Sequence, residues 1–157
     1  MSDSQKFPVA AHTLAYLAHK EATSAERAIS SGELAASMPT NPVVVRRVTS
    51  LLSKAGLIGT RTGANGGAWL KRPAASITLD VVLRAVHGCA KLGVAPPGVE
   101  GCPVGEKIPD AVRAALIAAD AAASARLALI SVADLLNGDP AAAQASATPP
   151  GPAKAVA

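Results

Sequence analysis

The sequence predicts a mainly α-helical fold carrying one small β-hairpin, and three observations support that expectation. Helix start and stop signals recur at short spacing between Ser30 and Gly56. A glycine-rich run, Thr62-Gly63-Ala64-Asn65-Gly66-Gly67, separates two short strand-like segments. A long alanine-rich stretch then runs from Pro109 to Asn137, and alanine favours helix because it has no side-chain entropy to lose there.

Helical spacing of Val9, His12 or Thr13, Tyr16 and Leu17 predicts a first helix from about Pro8 to Lys20. A polar link, Glu21 to Ala28, follows. Ser30 and Glu33 have the form of a capping box, each side chain satisfying the other's amide, which predicts a short helix from Gly32 to Met38 ended by Pro39. Thr40, Asn41 and Pro42 are the next start signal, a polar cap followed by a proline whose missing amide costs nothing in the first turn. The helix they open, Pro42 to Ala55, has Val45, Val48, Leu51, Leu52 and Ala55 on one face and Val43, Arg46, Arg47, Ser50 and Lys54 on the other. Gly56 suits its left-handed end.

Leu57 to Arg61 and Ala68 to Lys71 read as the two strands of the hairpin. Thr78 or Asp80 starts another helix that runs to about Val86. Gly88 to Glu106 is rich in glycine and proline and reads as loop. Pro109 to Asn137 reads as one continuous helix closed by Asn137-Gly138, and residues 139–157 as a disordered tail.

The charge pattern gives this architecture a partner. Between Leu34 and Leu79 stand six bases (Arg46, Arg47, Lys54, Arg61, Lys71 and Arg72) and no acid. Residues 1–79 hold nine bases and four acids, residues 80–157 six and seven, so the net charge of +4 arises in the first half. A folded surface that presents bases and excludes acids suits a polyanion, because carboxylates repel phosphates and bases release their counterions. Two short helices joined by a tight turn, the second bearing arginines, match a helix-turn-helix whose second helix enters the major groove of DNA. Arginine can pair with guanine O6 and N7, amides at the helix start can grip a phosphate, and Val43 or Val44 can touch a thymine methyl. The bland alternative is a solvated basic face. The glycine loop lacks the spacing and lysine of a nucleotide-binding loop.

The candidate DNA contacts are therefore Thr40, Asn41, Val43, Val44, Arg46, Arg47, Ser50 and Lys54 on the helix, with Arg61, Asn65 and Gly66 on the hairpin. Gly63, Gly66 and Gly67 are expected to permit close approach to phosphates.

The 157 residues fit one domain with appendages. With one Phe, one Tyr and one Trp, the core is built from small side chains, which favours a partner chain. Val112, Leu116, Ala119, Ala123, Leu127 and Ile130 form one stripe of the last helix, and Ile117, Leu129, Val132 and Leu136 widen it, as expected of a dimerisation helix. Asp3, Gln5, Lys6 and His12 interrupt any signal-peptide-like run, and charges between Ala111 and Leu136 exclude a membrane span, so a cytoplasmic location is expected.

Four segments resemble the Rrf-two family of bacterial winged helix-turn-helix transcription regulators. They are Asn41-Pro42-Val43-Val44-Val45-Arg46-Arg47, Leu52-Ser53-Lys54-Ala55-Gly56-Leu57-Ile58, Gly63 to Leu70 with the following Arg72-Pro73, and Ile77-Thr78-Leu79-Asp80-Val81. The likeness extends from Ala11-His12-Thr13-Leu14 to about Gly105. It implies a homodimer on a roughly palindromic double-stranded operator, a repressor more than an activator, with the helix Pro109 to Asn137 crossing to the other subunit. The implied organisation is a winged helix-turn-helix domain at 1–88, a sensor-type loop at 89–108, a dimerisation helix at 109–138 and the tail at 139–157.

Many members of that family sense iron–sulfur status, nitric oxide or redox state through three cysteines in the loop, so the resemblance also implies, as an alternative, an iron–sulfur cluster-containing redox or nitric-oxide sensor. This chain has two, Cys89 and Cys102, with His87 nearby, whereas a cluster normally takes four ligands, mostly thiolates. His12, Glu106 or a second subunit would have to complete the set. The run Cys102-Pro103-Val104-Gly105 is instead similar to a cluster-free branch, so no cofactor and no metal site are expected. Three readings of the cysteines stay open: ordinary small residues, a thiol switch tuned by His87, Lys91 or Lys107, and mixed cluster ligation. An enzyme using one of them lacks a second catalytic group at recognisable spacing, and a protein-interaction adaptor that has lost DNA binding is the other rival.

Overall fold

The computed structural model describes residues 5–63, 66–88 and 92–138. Asn65 at the hairpin tip, Cys89, Lys91 and the tail at 139–157 lie outside the described residues.

Among the described residues, six helices and one hairpin follow in order: α1 (Lys6–His19), α2 (Ser31–Ala36), α3 (Pro42–Lys54), β1 (Ile58–Arg61), β2 (Gly67–Leu70), α4 (Leu79–His87), α5 (Pro103–Leu127) and α6 (Val132–Leu136), with short 3-10 turns at Ala25–Arg27 and Ala74–Ser76. The core gathers Leu14 and Leu17 of α1, Leu34 of α2, Val45, Val48 and Leu52 of α3, Leu57, Ile58 and Leu70 of the hairpin, Ile77, Val82 of α4 and Val132 of α6. The aliphatic face read from the sequence of α3 is this core face, with two adjustments. Thr49 is buried, its hydroxyl donating to the Arg46 carbonyl at 3.1 Å, and Ala55 is exposed.

The capping box expected at Ser30 and Glu33 forms by half. The Ser30 hydroxyl accepts from the Glu33 amide at 3.1 Å. The Glu33 carboxylate instead accepts from the Tyr16 hydroxyl at 3.2 Å, and His12 meets Ser37 at 3.0 Å. Both contacts tie α2 to α1, so tertiary packing displaced a local bond.

The hairpin is antiparallel, pairing Ile58 with Leu70 and Arg61 with Gly67. A third segment joins it: Ile29 and Ala68 exchange two 2.9 Å hydrogen bonds, and the Leu70 amide donates to the Ala22 carbonyl at 2.8 Å. The polar link between α1 and α2 is therefore an edge of the hairpin.

Two expectations for the C-terminal half are corrected. The last helix begins at Pro103, with Cys102 as its cap, so Pro109 lies inside it. A proline there removes the amide that would bond the Gly105 carbonyl. The Val99 amide, from the loop folded back on the helix, takes that carbonyl at 3.1 Å. The helix is also not continuous to Asn137. Leu129 and Ile130 make tightened i to i−3 bonds, and the chain then runs beside α4, Leu79 donating to Ile130 and Val132 to Ile77. Ser131 and Asp134 form a true capping box that opens α6, and Val132 enters the core. Among the described residues, no helix is long and apolar enough to cross a membrane.

Candidate nucleic-acid interface

The outer face of α3 and the hairpin enclose an open groove of about 680 Å³. Arg46, Ser50, Ser53 and Lys54 form one wall, and Thr60, Arg61, Thr62, Gly63 and Gly66 the other. Ile29, Leu34 and Ala68 floor it, with Ser30 and Ser31 at the start of α2 closing one side. Among the described residues, no acid lines it. A shallower depression on the neighbouring surface of α3 holds Val43, Arg46, Arg47, Ser50 and Leu51. Arg46 and Ser50 border both, and Arg47 only the second.

Local chemistry explains why α3 stands here. The Asn41 side chain accepts from the Val43 amide at 2.8 Å, Pro42 occupies the first turn and Gly56 ends the segment at φ 73°. With Val45, Val48, Thr49 and Leu52 fixed in the core, the helical period turns Val43, Arg46, Arg47, Ser50 and Lys54 outward, and all five are exposed. Val43 is the exposed member of the valine pair and Val44 is half-buried; Thr40 is half-buried in the turn.

The wing glycines have an internal duty. A Cβ on Gly66 would stand 2.7 Å from the Arg61 carbonyl oxygen, and one on Gly67 2.6 Å from that of Ile29. Close packing within the protein requires them, whatever they allow a ligand. Gly63 differs: its φ of 101° is glycine territory, and nothing lies near its missing side chain. Ser30, Ser31, Ser53, Thr60 and Thr62 are groove residues that the charge pattern alone does not single out; a run of small hydroxyls beside the arginines is the available signal.

Residues 3–138 match a sequence model of the Rrf2 (Rrf-two) family, described as an iron-dependent transcriptional regulator. The chain belongs to the Rrf2 family. YwnA of Bacillus subtilis (strain 168), provisionally named an HTH-type transcriptional regulator, is 37% identical over 135 residues, spanning 85% of this chain and 96% of YwnA. A transcriptional regulator, provisionally so designated, from Lactobacillus plantarum has a crystal structure that superposes with TM-score 0.68 at 28% identity, over 85% of this chain and 88% of that one. A second crystal structure, of a provisionally designated DNA-binding protein, gives TM-score 0.62 at 37% identity over 84% and 99%. The mainly helical fold with its two-stranded wing is thus the winged-helix fold of Rrf2 transcriptional regulators.

The family description raises the question of iron. Among the described residues no three of His, Cys, Asp and Glu converge as a metal would require. Cys102 is exposed, and its Sγ accepts from the Gly105 amide at 3.3 Å as the cap of α5. His12 is committed to Ser37. Cys102 and His12 are thus apart from one another, and Cys89, the other thiol of the expected set, lies outside the described residues.

Proposed function

We propose that this Rrf2 protein is a cytoplasmic homodimeric repressor that seats duplex DNA in the groove between α3 and the wing. The groove itself supports this most strongly: three cationic side chains from two elements, Arg46, Lys54 and Arg61, converge on an acid-free surface beside an exposed arginine and valine. Arg46 is positioned for a base edge, Val43 for a thymine methyl, and Lys54 with Arg61 for the flanking backbone. Thr40 and Asn41 set the helix start, and Arg47 adds a contact on the outer side. The test is titration of Arg46→Ala and Arg47→Ala against an operator selected by the wild-type protein from random duplexes. Removing a base-reading arginine costs about 1–3 kcal/mol at its base pair; unchanged affinity in both variants would remove the assignment.

Dimerisation rests on α5. None of its residues is buried, and Val104 and Ile117 are 65% and 64% exposed. A helix of this length with large aliphatics in solvent fits a second copy of the chain.

A thiol response is a second layer, favoured by one observation: Cys102 is exposed and caps the dimer helix. Two thiols, Cys102 and Cys89 within or between subunits, would lose two protons and two electrons to a peroxide and form a disulfide at the start of α5. Peroxide should then change operator binding by the wild type and not by Cys102→Ser.

A further inference from the structure

The acid-free stretch begins one residue after Glu33. Glu33 belongs to α2, and its neighbours Ser30, Ser31 and Leu34 all line the groove. The Ser30 hydroxyl accepts from the Glu33 amide, which is one half of a capping box. The other half would bring the Glu33 carboxylate onto the Ser30 amide. The full box of α6 shows that arrangement, with the Asp134 carboxylate 2.7 Å from both the amide and the hydroxyl of Ser131. In α2 it would set a carboxylate on the side of the groove that Ser30 and Ser31 close. The Tyr16 hydroxyl instead donates to Glu33 Oε1 at 3.2 Å. Tyr16 is well placed to do so: Leu14 and Leu17 anchor its helix in the core, and its ring stacks with His12, centroids 6.4 Å apart. Lys20 Nζ stands 5.5 Å from the same ring's centroid. His12 in turn meets Ser37, one helical turn beyond Glu33, at 3.0 Å. Two contacts thus turn the Glu33 and Ser37 side of α2 toward α1.

We propose that Tyr16 is a positioning residue for DNA binding, whose hydroxyl holds the Glu33 carboxylate on the α1 side and so keeps the groove free of acid. The inference rests on the groove being the DNA site. A carboxylate capping Ser30 would repel incoming phosphates and cancel part of the attraction of the groove's cations. That penalty falls on operator and arbitrary duplex alike. Tyr16 therefore protects affinity and leaves sequence preference to α3.

The test titrates wild type, Tyr16→Phe, Glu33→Gln and the double variant against the selected operator and a mixed-sequence duplex, across a salt series, with Arg46→Ala and Arg47→Ala alongside. Tyr16→Phe keeps the ring and its packing and removes only the donor. Glu33 is exposed, and the glutamine retains the reach to cap Ser30 while losing the charge. Tyr16→Phe should weaken binding to both duplexes about twofold to fivefold at low salt, and the loss should fade as salt screens the added repulsion. Glu33→Gln alone should stay near wild type, and in the Tyr16→Phe background it should restore binding. Unchanged affinity in Tyr16→Phe while Arg46→Ala weakens binding would overturn the proposal and leave the groove standing. A loss that Glu33→Gln does not rescue would also overturn it, because such a loss comes from the packing of α1 on α2 and not from the carboxylate. If Arg46→Ala and Arg47→Ala both bind as wild type, the groove itself is misassigned and the proposal falls with it.

Discussion

Gly67 and Ile29 touch through their main chains: a Cβ on Gly67 would come within 2.6 Å of the Ile29 carbonyl oxygen. That approach locks the link between the first two helices onto the wing, beside the pair of 2.9 Å bonds joining Ile29 and Ala68. The obstacle is backbone, so it cannot rotate away. Gly67→Ala should destabilise the protein by about 1–3 kcal/mol. Chemical denaturation followed by fluorescence of Trp69, the single tryptophan and a residue of the same strand, reads this directly.

Glu21 is the one non-glycine residue with positive φ among the described residues, at 50°. Its conformation ends α1, where Glu21 and Ala22 donate back to Ala18 and Leu17. Glycine would relieve the left-handed strain while giving the unfolded chain more freedom. Glu21→Gly should therefore stabilise by about 0.5–1 kcal/mol net. The exposed pair with Arg27 contributes little against this. A lower midpoint in denaturant would show that the strain is already relieved by its surroundings.

These two positions mark where the sequence was legible and where it was not. Local chemistry could be read: Asn41-Pro42 starts α3, Gly56 ends it, and the glycine run joins two strands, since each signal acts within a few residues. The exposed and buried faces of α3 followed from period alone, except at Thr49, which satisfies its hydroxyl on its own helix and so can enter the core, and at Ala55, which ends the helix exposed. Ser131 and Asp134 are a local start signal for α6 that the reading of one continuous helix passed over, while hydrogen bonds to Ile77 and Leu79 add a long-range hold on the break. Long-range effects were hidden. Pro109 looked like a start because the Val99 amide that compensates for it comes from a preceding loop.

The capping box of α6 makes a prediction about acid. The Ser131 hydroxyl foremost, then the Ser131 amide, hold the Asp134 carboxyl below its ordinary 3.8, with a weaker opposing effect of desolvation. A depressed folded-state value means stability that is present above the unfolded value and is lost as pH falls through the folded one. Asp134→Asn should therefore lower stability at neutral pH and flatten the decline below pH 3.8. Thermal melts of both proteins across the acid range test this; parallel curves would contradict it.

Ile117 projects from α5 into solvent at 64% exposure. A charge there costs the monomer little and would disrupt the proposed aliphatic interface between two copies of α5. Ile117→Glu should shift sedimentation from dimer toward monomer while leaving helical content unchanged, and operator affinity should fall with it. A variant that sediments as wild type would place the dimer interface elsewhere.

Salt dependence of duplex binding by wild type and by the combined Arg46→Ala, Lys54→Ala, Arg61→Ala variant tests the groove most directly. Each phosphate deprived of its cationic side chain should make the slope of log affinity against log salt shallower by about 0.9, and operator preference should relax at the base pair that Arg46 reads. A triple variant with the wild-type slope and affinity would contradict the assignment of this surface to DNA.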